Sequence, residues 1–321
     1  MRKLSVGWWW IVTPVINAYE GQHYYENFQF KRAGWKFQWR VARAGVFQTV
    51  DTDLCAKGRQ RAAQKVHQVL SAMKVTVITV CFQSEATIQK AIDSVAGQTW
   101  PSIEHIVIDG ASRDGTVAIV ERNRARIAQL VSEPDKGVYQ AMNKGLKLAT
   151  GDIIAFLNSD DVYSNPRVIE SIARTMQEEG LDALYGDVEF FHAANPDKVV
   201  RTYDSGHFSP SRIGWGWMPA HPALFVRRDI YERFGYFSED YKIAGDYEFV
   251  ARIFKSGQLK SRHVKQVLVR MQTGGLSTAG LAATYQLNKE ILRACRQNGI
   301  ATNWFKVLSK YFFKLGEFLH A

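Results

Sequence analysis

Residues 153–161 read Ile153-Ile154-Ala155-Phe156-Leu157-Asn158-Ser159-Asp160-Asp161, and this stretch decides the predicted fold. Five consecutive apolar residues that follow Gly151 and precede a polar run are typical of a fully buried strand. Strands buried on both faces occur mostly in parallel sheets that are covered by helices. Two carboxylates follow this strand directly, at the carboxyl edge where open α/β sheets bind their ligands.

The sequence before this strand alternates between strand and helix patterns. The apolar run at 75–80 predicts a strand, and Ser84 is a good cap for the helix after it. That helix is predicted by an apolar stripe at Ile88, Ala91, Ile92, Val95 and Ala96. A strand at 103–108 and helices at 116–130 and 137–148 follow. This β-α-β-α order predicts a Rossmann-like, mostly parallel central sheet flanked by helices.

The second half of the chain predicts a smaller region of mixed strands and helices. Strands are expected at 183–191, 199–203, 224–226 and 266–271, and helices at 166–179, 228–234 and 246–255. Residues 205–220 are rich in Gly, Pro and Trp. They predict an ordered loop that lies over a site.

Residues 1–72 differ in composition from the rest of the chain. The formal net charge is +10, and these residues hold 11 Lys or Arg against 4 Asp or Glu, with five of the nine Trp. Because Met73 stands directly before the first clear strand, we favour Met73 as the natural start and 1–72 as an over-extended reading frame. The alternative is a basic, Trp-rich accessory segment that contacts a membrane, with an anionic surface favoured, or a partner. The predicted domains are therefore 1–72, 73–280 and 281–321.

Composition argues against several other classes of protein. Three cysteines without C-x-x-C spacing (Cys55, Cys81 and Cys295) argue against a disulfide framework or a structural zinc site, and favour a reducing compartment. No run of 18 apolar residues predicts a transmembrane helix, and residues 1–18 make a poor signal peptide. The region after residue 73 lacks a basic stripe with interleaved aromatic residues, so no nucleic-acid partner is expected.

Asp160 and Asp161 are the first candidates for a chemical role. Adjacent carboxylates after a buried strand repel each other, and a hard divalent ion such as Mn²⁺ or Mg²⁺ relieves that repulsion and bridges to phosphate oxygens. An Asx turn that closes the strand explains the same residues equally well. The local sequence leaves both interpretations open.

Asp109 and Asp246 are two further candidate carboxylates. Asp109 follows the predicted strand at 103–108, where it could accept hydrogen bonds from a base or ribose; a plain turn before Thr116 is the alternative. The glycines after it allow the backbone to approach a ligand closely. Asp246 opens a predicted helix, where it could act as a general base or cap the helix, and both roles are compatible.

Three residues in predicted loops are candidates for contact with phosphate or a second substrate. His221 follows the loop that contains Trp217, and Lys136 could neutralise a diphosphate. A structural role is the alternative for His221, and surface solvation is the alternative for Lys136. Residues 274–277 could form a loop that closes over the ligand, or a simple turn.

Residues 75–277 resemble the family 2 inverting glycosyltransferases of the GT-A fold, and most closely the bacterial type that builds exopolysaccharide, capsule or O-antigen chains. The order and spacing of the matching motifs carry the resemblance. They are Thr79 and Phe82, Ile-Asp-Gly-Ala-Ser-x-Asp-Gly-Thr at 108–116, Ser-Glu-Pro-Asp-Lys-Gly-Val-Tyr at 132–139, Ala-Met-Asn-Lys-Gly at 141–145, residues 156–161, His221-Pro222 and Gly-Asp-Tyr-Glu at 245–248.

The resemblance implies single-sugar transfer from a nucleoside-diphosphate sugar, with UDP favoured, to a hydroxyl of a glycan or lipid-linked acceptor. It implies that Asp109 binds the base or ribose, that Asp160 contacts the nucleotide, and that Asp161, with Asp160, holds Mn²⁺ or Mg²⁺. Asp246 would be the catalytic base of one inverting displacement. We add Thr79, Phe82 and Lys136 to the expected nucleotide site, and His221 and Trp217 as candidates for contact with the acceptor or phosphate.

Three departures from the family pattern are present. Asn158 replaces the first carboxylate of the usual Asp-x-Asp motif, so metal ligation would rest on the later pair. The first strand ends in Cys-Phe-Gln at 81–83 instead of a Tyr-Asn pair, which puts the usual base contacts in doubt. The Gln-x-x-Arg-Trp motif of processive synthases is absent from the sequence, which favours transfer of a single residue.

Two alternative functions are consistent with the same fold. A non-catalytic protein that binds nucleotide sugars or glycans is the main alternative, but the four aspartates Asp109, Asp160, Asp161 and Asp246 occur together, which counts against it. A sugar nucleotidyltransferase would carry a Gly-rich, basic loop after the first strand. Residues 81–85 contain neither Gly nor a basic residue.

The C-terminal region predicts an amphipathic helix. Lys306, Lys310 and Lys314 recur every fourth residue, and apolar or aromatic residues fill the other positions (Phe305, Leu308, Tyr311, Phe312, Leu315, Leu319). A basic face opposite an aromatic face is the pattern of an interfacial helix. We therefore expect a cytoplasmic protein that contacts the inner face of the cell membrane through this helix; packing on the core or on another subunit is the alternative.

Overall fold

A computed structural model describes residues 40–43, 46–49, 73–274 and 280–317, with side chains described at 73–274 and 280–311. The chain divides into two compact units, Met1–His67 and Gln68–Ala321. In the first unit, β1 (Arg40–Arg43) pairs antiparallel with β2 (Val46–Thr49). Most of the predicted N-terminal extension, and residues 275–277 of the predicted closing loop, lie outside the described residues.

The second unit holds the other elements. Its strands are β3 (Val75–Cys81), β4 (Ile103–Asp109), β5 (Gln129–Ser132), β6 (Ile153–Phe156), β7 (Val162–Tyr163), β8 (Ala183–His192), β9 (Asn195–Tyr203), β10 (Leu224–Arg227) and β11 (Ser261–Gln272). Its α-helices are α1 (Ile88–Ala96), α2 (Thr116–Arg122), α3 (Val138–Leu148), α4 (Val168–Glu179), α5 (Arg228–Phe234), α6 (Gly245–Phe254), α7 (Leu281–Gln297) and α8 (Trp304–Glu317).

The strands of the second unit form a mixed sheet. Its order among the described residues is β5-β4-β3-β6-β10-β8-β11-β7, and β9 pairs with β8. The first four strands are parallel, whereas β10 runs antiparallel to both of its neighbours. β11 is parallel to β8, and β7 and β9 are antiparallel to their partners. The predicted α/β class, with a mostly parallel sheet, is confirmed.

Helix packing on the parallel half follows the predicted apolar stripes. In α1 the buried residues are Ile88, Ala91, Ile92 and Val95, which recur at helical spacing. In α3, Gly145 lies so close to β3 that a Cβ atom there would stand 2.5 Å from Ile78 Cγ2. The strands β3 and β6 are buried along their whole length. This core holds the carboxyl ends of β3, β4 and β6 in fixed positions.

The prediction of one helix over 116–130 is wrong. α2 ends at Arg122, a short 3-10 helix spans Arg124–Arg126, and Gln129–Ser132 forms the edge strand β5. β5 has three partly buried residues and one exposed residue, so its sequence carries no clear alternation. Ser84 also does not cap α1: its carbonyl accepts hydrogen bonds from the backbone N–H groups of Thr87 and Ile88.

The predicted basic face of the C-terminal helix is not a solvated stripe. Lys310 is only 4% exposed, and its side chain packs against Gly216. Lys306 Nζ lies 5.5 Å from the ring centre of Trp215, and the side chain of Lys314 lies outside the described residues. The buried residue Val307 shows that this side of α8 packs on the protein core. Within the described part of the chain, no helix is long and apolar enough to cross a membrane.

Candidate active site

The carboxyl ends of β3, β4 and β6 meet at one edge of the sheet. Cys81 pairs with Asp109 in the register of β3 and β4, and the Gln83 backbone N–H donates to Ser112 Oγ at 2.8 Å. The hydroxyls of Ser84 and Ser159 lie 2.8 Å apart, which joins the segment after β3 to the segment after β6. The loops that carry the predicted site residues are therefore in direct contact.

Two residues at this edge adopt unusual backbone conformations. Gln83 has φ of 51° and Ala111 has φ of 62°, although neither is a glycine. Left-handed conformations of non-glycine residues store backbone strain, and such residues are concentrated at functional sites. Their position directly after β3 and β4 supports the assignment of this edge as the site.

Asp109 is completely buried, and its carboxylate accepts hydrogen bonds from two serines. Oδ2 accepts from the Ser112 backbone N–H at 2.9 Å and from Ser132 Oγ at 2.7 Å, and Oδ1 accepts from Ser112 Oγ at 2.5 Å. These bonds tie the loop after β4 to the end of β5. The predicted contact with base or ribose stays a prediction, and the two serines were not expected from the sequence.

Thr79 is also completely buried, in the middle of the sheet. Its Oγ1 lies 3.0 Å from Nε2 of His105 on β4. Burial, with a smaller contribution from the charge of Arg126, lowers the pKa of His105 to about 4, so this imidazole is neutral at pH 7. Thr79 therefore joins β3 to β4, and its predicted nucleotide contact is untested.

Phe82 and Lys136 are both exposed, on loops that approach each other near Gly110. Phe82 is 63% exposed, although it directly follows the buried strand β3. A Cβ atom at Gly110 would lie 3.3 Å from the Phe82 ring and 3.0 Å from Asp135 Oδ2, so the loop that carries Asp135 and Lys136 approaches both. Lys136 is exposed, and its backbone N–H donates to the side chain of Gln140. An aromatic ring and a cation are thus available to a ligand.

The acidic pair after β6 differs in exposure. Asp161 is 1% exposed, and its Oδ2 accepts from Asn158 Nδ2 at 2.9 Å. Asp160 is partly exposed. Burial raises the pKa of both carboxyls, and the charge of Asp160 raises that of Asp161 further, although hydrogen bonds from Asn158 and the Gln272 backbone oppose this. Carboxyl groups whose pKa values are raised by burial and by a neighbouring charge are candidates for functional positions.

Asp246 lies in the first turn of α6 and is partly exposed. Its Oδ1 accepts from the Tyr247 backbone N–H at 2.8 Å and lies 3.2 Å from the Tyr139 hydroxyl. That hydroxyl also donates to the Ile243 carbonyl at 2.6 Å. Burial and the charge of Asp246 raise the pKa of Tyr139, so its hydroxyl remains a donor. The sequence placed Tyr139 in a motif but did not reveal this contact.

His221 lies against β6 and near Asp246. Its ring stacks on Phe156 of β6 with centroids 5.2 Å apart, and its Nε2 is buried without a hydrogen-bond partner among the described residues. Burial lowers the pKa of His221, whereas the charge of nearby Asp246 raises it.

Trp217 is 8% exposed, and its ring lies 5.9 Å from that of His207. The structure thus brings His221 to Phe156 and Asp246, whereas Trp217 packs within the loop at 205–220.

A second group of potential metal ligands occurs in the described part of the chain. Asp187, Asp204 and His263 bring one ligand atom each within 4.8 Å of one another. His263 Nε2 lies 2.8 Å from Asp187 Oδ1, which also accepts from the Ser205 backbone N–H at 2.9 Å. The direct contact of His263 with Asp187 explains the group without an ion. The sequence analysis did not anticipate this cluster, because its members are distant in the chain.

Two relatives illustrate the similarity to known proteins. A "PGL/p-HBAD biosynthesis glycosyltransferase" of Mycobacterium bovis (strain BCG) is 28% identical over 216 residues, which cover 65% of this chain and 80% of the relative. An uncharacterised glycosyltransferase of Mycobacterium tuberculosis (strain H37Rv) is 34% identical over 188 residues, which cover 57% of this chain and 69% of the relative.

Solved structures show the same fold. S. aureus TarS 1–349 in complex with UDP-GlcNAc has a TM-score of 0.56 at 22% identity, covering 69% of this chain and 66% of that one. The Pyrobaculum calidifontis mannosyltransferase PcManGT, in complex with GDP-Man and Mn²⁺, has a TM-score of 0.51 at 22% identity, covering 69% and 64%. Both are GT-A enzymes, which confirms the predicted GT-A fold.

The family model "Glycosyl transferase family 2" matches residues 76–238, just over half of the chain. The match begins inside β3 and includes Asp109, Asp160, Asp161 and His221, and it ends before α6. The chain therefore belongs to glycosyl transferase family 2 and is a glycosyltransferase.

Proposed function

We propose that this enzyme transfers a single sugar from a nucleoside-diphosphate sugar, with UDP favoured, to a hydroxyl of a glycan or lipid-linked acceptor, with inversion. The observation that carries the proposal is that His221 stacks on Phe156 of β6, the strand that the acidic pair follows, and feels the charge of Asp246. The complexes of TarS with UDP-GlcNAc and of PcManGT with GDP-Man support this donor class.

Asp160 and Asp161 have the chemistry of a site for Mn²⁺ or Mg²⁺. Both supply hard carboxylate oxygens, and a divalent cation would stabilise the charged form of a pair whose pKa values are raised by burial and mutual repulsion. When bound, a cation of this class offsets the negative charge that develops on the diphosphate leaving group. Asp161 would be the favoured ligand, and Asp160 would share the cation and contact the nucleotide.

Asp246 is the proposed general base. It accepts the proton of the acceptor hydroxyl while the acceptor oxygen bonds to the anomeric carbon, and the bond from that carbon to the diphosphate oxygen breaks. The electron pair of the broken bond leaves with the nucleoside diphosphate. Because the acceptor attacks from the face opposite the leaving group, the anomeric configuration inverts. His221 and Trp217 complete the acceptor side in this proposal.

Phe82 and Lys136 are the proposed donor-side contacts. The exposed ring of Phe82 is suited to stack on the nucleotide base, and Lys136 is suited to a diphosphate oxygen. Asp109 and Thr79 complete the proposed nucleotide site. A direct contact from Asp109 would compete with its bonds to Ser112 and Ser132.

The enzyme works in the cytoplasm at the inner face of the membrane in this proposal. The surface of α7 and α8 exposes five large apolar side chains (Leu281, Tyr285, Trp304, Phe305 and Leu308). Lys289, Arg293 and Arg296 line a cleft beside Trp304. Apolar residues next to cations suit an anionic bilayer, where a lipid-linked acceptor would be presented.

Thermal unfolding of the full chain with UDP, GDP, dTDP and CMP, each with and without Mn²⁺, tests the proposal. We expect one nucleoside diphosphate to raise the Tm only with Mn²⁺, because a ligand at 100 times its Kd adds about 2.7 kcal/mol of stability. Asp161→Ala should abolish this shift, and Asp197→Ala, at an exposed carboxylate on β9, should retain it.

Two results would count against the proposal. The first is a folded chain that shows no shift with any of these nucleotides. The second is a Mn²⁺ response that survives Asp161→Ala and disappears in Asp204→Ala, since this would assign the cation to the Asp187, Asp204 and His263 group.

A further inference from the structure

One carboxylate holds the backbone segment that precedes the proposed base. Glu290 of α7 accepts three consecutive backbone N–H groups, from Lys242 at 3.0 Å, Ile243 at 2.9 Å and Ala244 at 2.8 Å. α6 begins at the next residue, and Asp246 is its second residue. Glu290 therefore fixes the backbone directly before α6, the helix that carries Asp246 in its first turn.

The same segment is fixed from the opposite side by Tyr139 of α3. The Tyr139 hydroxyl donates to the Ile243 carbonyl and lies 3.2 Å from Asp246 Oδ1. A Cβ atom at position 245 would lie 2.7 Å from the Tyr139 ring, so only Gly245 allows this approach. The segment is therefore held through its N–H groups by Glu290 and through a carbonyl by Tyr139.

The burial and charge of Glu290 favour this contact. It is 3% exposed, and its Oε1 also accepts from Gln286 Nε2 at 2.7 Å. Burial would raise the pKa of Glu290, but the hydrogen bonds from Gln286 and the three backbone groups lower it below its ordinary value, so the residue is charged at neutral pH. Hydrogen bonds to a charged acceptor are the strong ones, and their loss leaves buried N–H donors unsatisfied.

We propose that Glu290 is a positioning residue for Asp246, which makes α7 part of the catalytic apparatus although it lies beyond the matched family region. This inference rests on the proposed role of Asp246 as the base. Glu290→Gln places an amide NH₂ group against backbone donors. Asp246 then loses its fixed position while the nucleotide side of the site, which Glu290 does not contact, stays intact.

The test uses the full chain and the nucleotide sugar whose nucleoside diphosphate gives the Mn²⁺-dependent shift described above. Release of that diphosphate with water as acceptor measures turnover, and the thermal shift measures nucleotide affinity. We expect Glu290→Gln to lower kcat about 10- to 100-fold, because a displacement near 1 Å has that effect on a reacting group. The nucleotide affinity should stay within twofold.

Asn288→Ala is the matched control. Asn288 is 2% exposed on the same helix, and its Nδ2 donates to the Thr284 carbonyl and the Tyr311 hydroxyl, away from residues 242–244. We expect this variant to lower the Tm and to keep kcat within twofold. Glu290→Asp retains the charge with a shorter reach, so it should fold and show a smaller loss of kcat than Glu290→Gln.

The double variant Glu290→Gln/Asp246→Asn shows whether Glu290 acts through Asp246 or through the stability of the fold. If Glu290 acts through Asp246, Glu290→Gln should have no further effect on kcat when Asp246→Asn is already present. The inference would be overturned if Glu290→Gln lowered kcat as much in the Asp246→Asn background as in the wild type. It would also be overturned if both Glu290 variants kept a kcat as high as that of Asn288→Ala. Wild-type turnover of Asp246→Asn alone would instead refute the proposed base.

Discussion

At the residue scale, the exposure of Phe82 is the feature that best fits its proposed contact with the nucleotide. It follows a fully buried strand, yet 63% of the residue is exposed, at the edge where Gln83 and Ala111 adopt left-handed backbone conformations. A large aromatic ring gains nothing from this exposure in the free protein. The ring is instead available for a nucleotide base.

Phe82→Ala should weaken nucleotide binding without affecting the fold. Stacking of a base on an aromatic ring contributes about 1–3 kcal/mol, so we expect the Kd of the preferred nucleoside diphosphate to rise roughly 5- to 150-fold. Titration calorimetry with Mn²⁺ measures this, and Phe82→Tyr is the conservative control. Equal affinity of the alanine variant and the wild type would exclude Phe82 from the nucleotide site.

The sequence indicates which residues are candidates for the site more easily than it indicates which neighbours their side chains contact. Motif order drew attention to Asp160, Asp161 and Asp246; the structure places the first two directly after β6 and the third in the first turn of α6. The engagement of Asp109 by Ser112 and Ser132 could not be predicted, because Ser132 lies on a strand that the sequence did not reveal. Side-chain partners depend on tertiary neighbours, which local patterns do not contain.

At the scale of elements, β3 and β4 are joined by a buried polar pair. His105 and Thr79 contact each other inside the sheet, and the pKa of His105 is about 4 in the folded chain against an ordinary value of 6.5. Between these values the unfolded chain binds a proton that the folded chain does not. The free energy of unfolding therefore falls as the pH decreases from 6.5 to 4.

His105→Gln should remove this pH dependence. Between pH 6.5 and pH 4 the free energy of unfolding of the wild type should fall by about 3 kcal/mol more than that of the variant. Urea unfolding at pH 7, 5.5 and 4 measures the difference, and the other titratable groups are common to both proteins. Parallel curves for the two proteins would exclude His105 as the source.

Elements with strong periodicity were predictable, and short edge elements were not. The predicted helix at 228–234 matches α5, and the predicted strands at 75–80 and 103–108 each differ from the observed strands by one residue. β5 was missed because a four-residue, half-buried strand has no pattern to distinguish it from a helix end. Lys310 was misplaced because helical spacing does not show which side of α8 meets the core.

At the scale of the whole molecule, α7 and α8 form a surface whose exposed residues are unusually apolar. Phe305 is 76% exposed, Leu308 is 43% exposed and Leu281 is 92% exposed. Because Lys310 is buried, its replacement by Glu would test folding, so the apolar residues are the better probe of membrane contact.

We expect the double variant Phe305→Ser/Leu308→Ser to reduce binding to anionic vesicles at least tenfold, since each exposed side chain contributes about 1.5–3 kcal/mol on burial. Co-sedimentation with vesicles that contain or lack anionic lipid measures this. Val199→Ser, at an exposed apolar residue on β9, is the control and should bind as the wild type does. Unchanged binding of the double variant would remove this surface from the proposal.

The hydrogen bonds from residues 242–244 to Glu290 have a consequence for synthesis of the chain. They join positions 46 to 48 residues apart, whereas the parallel strands β3 to β6 lie within the first half of the second unit. Domains fold from the N-terminus as the ribosome extends the chain. A nascent or truncated product that ends before α7 lacks Glu290 and keeps only the Tyr139 contacts to this segment, so we expect it to turn over donor more slowly than the full chain.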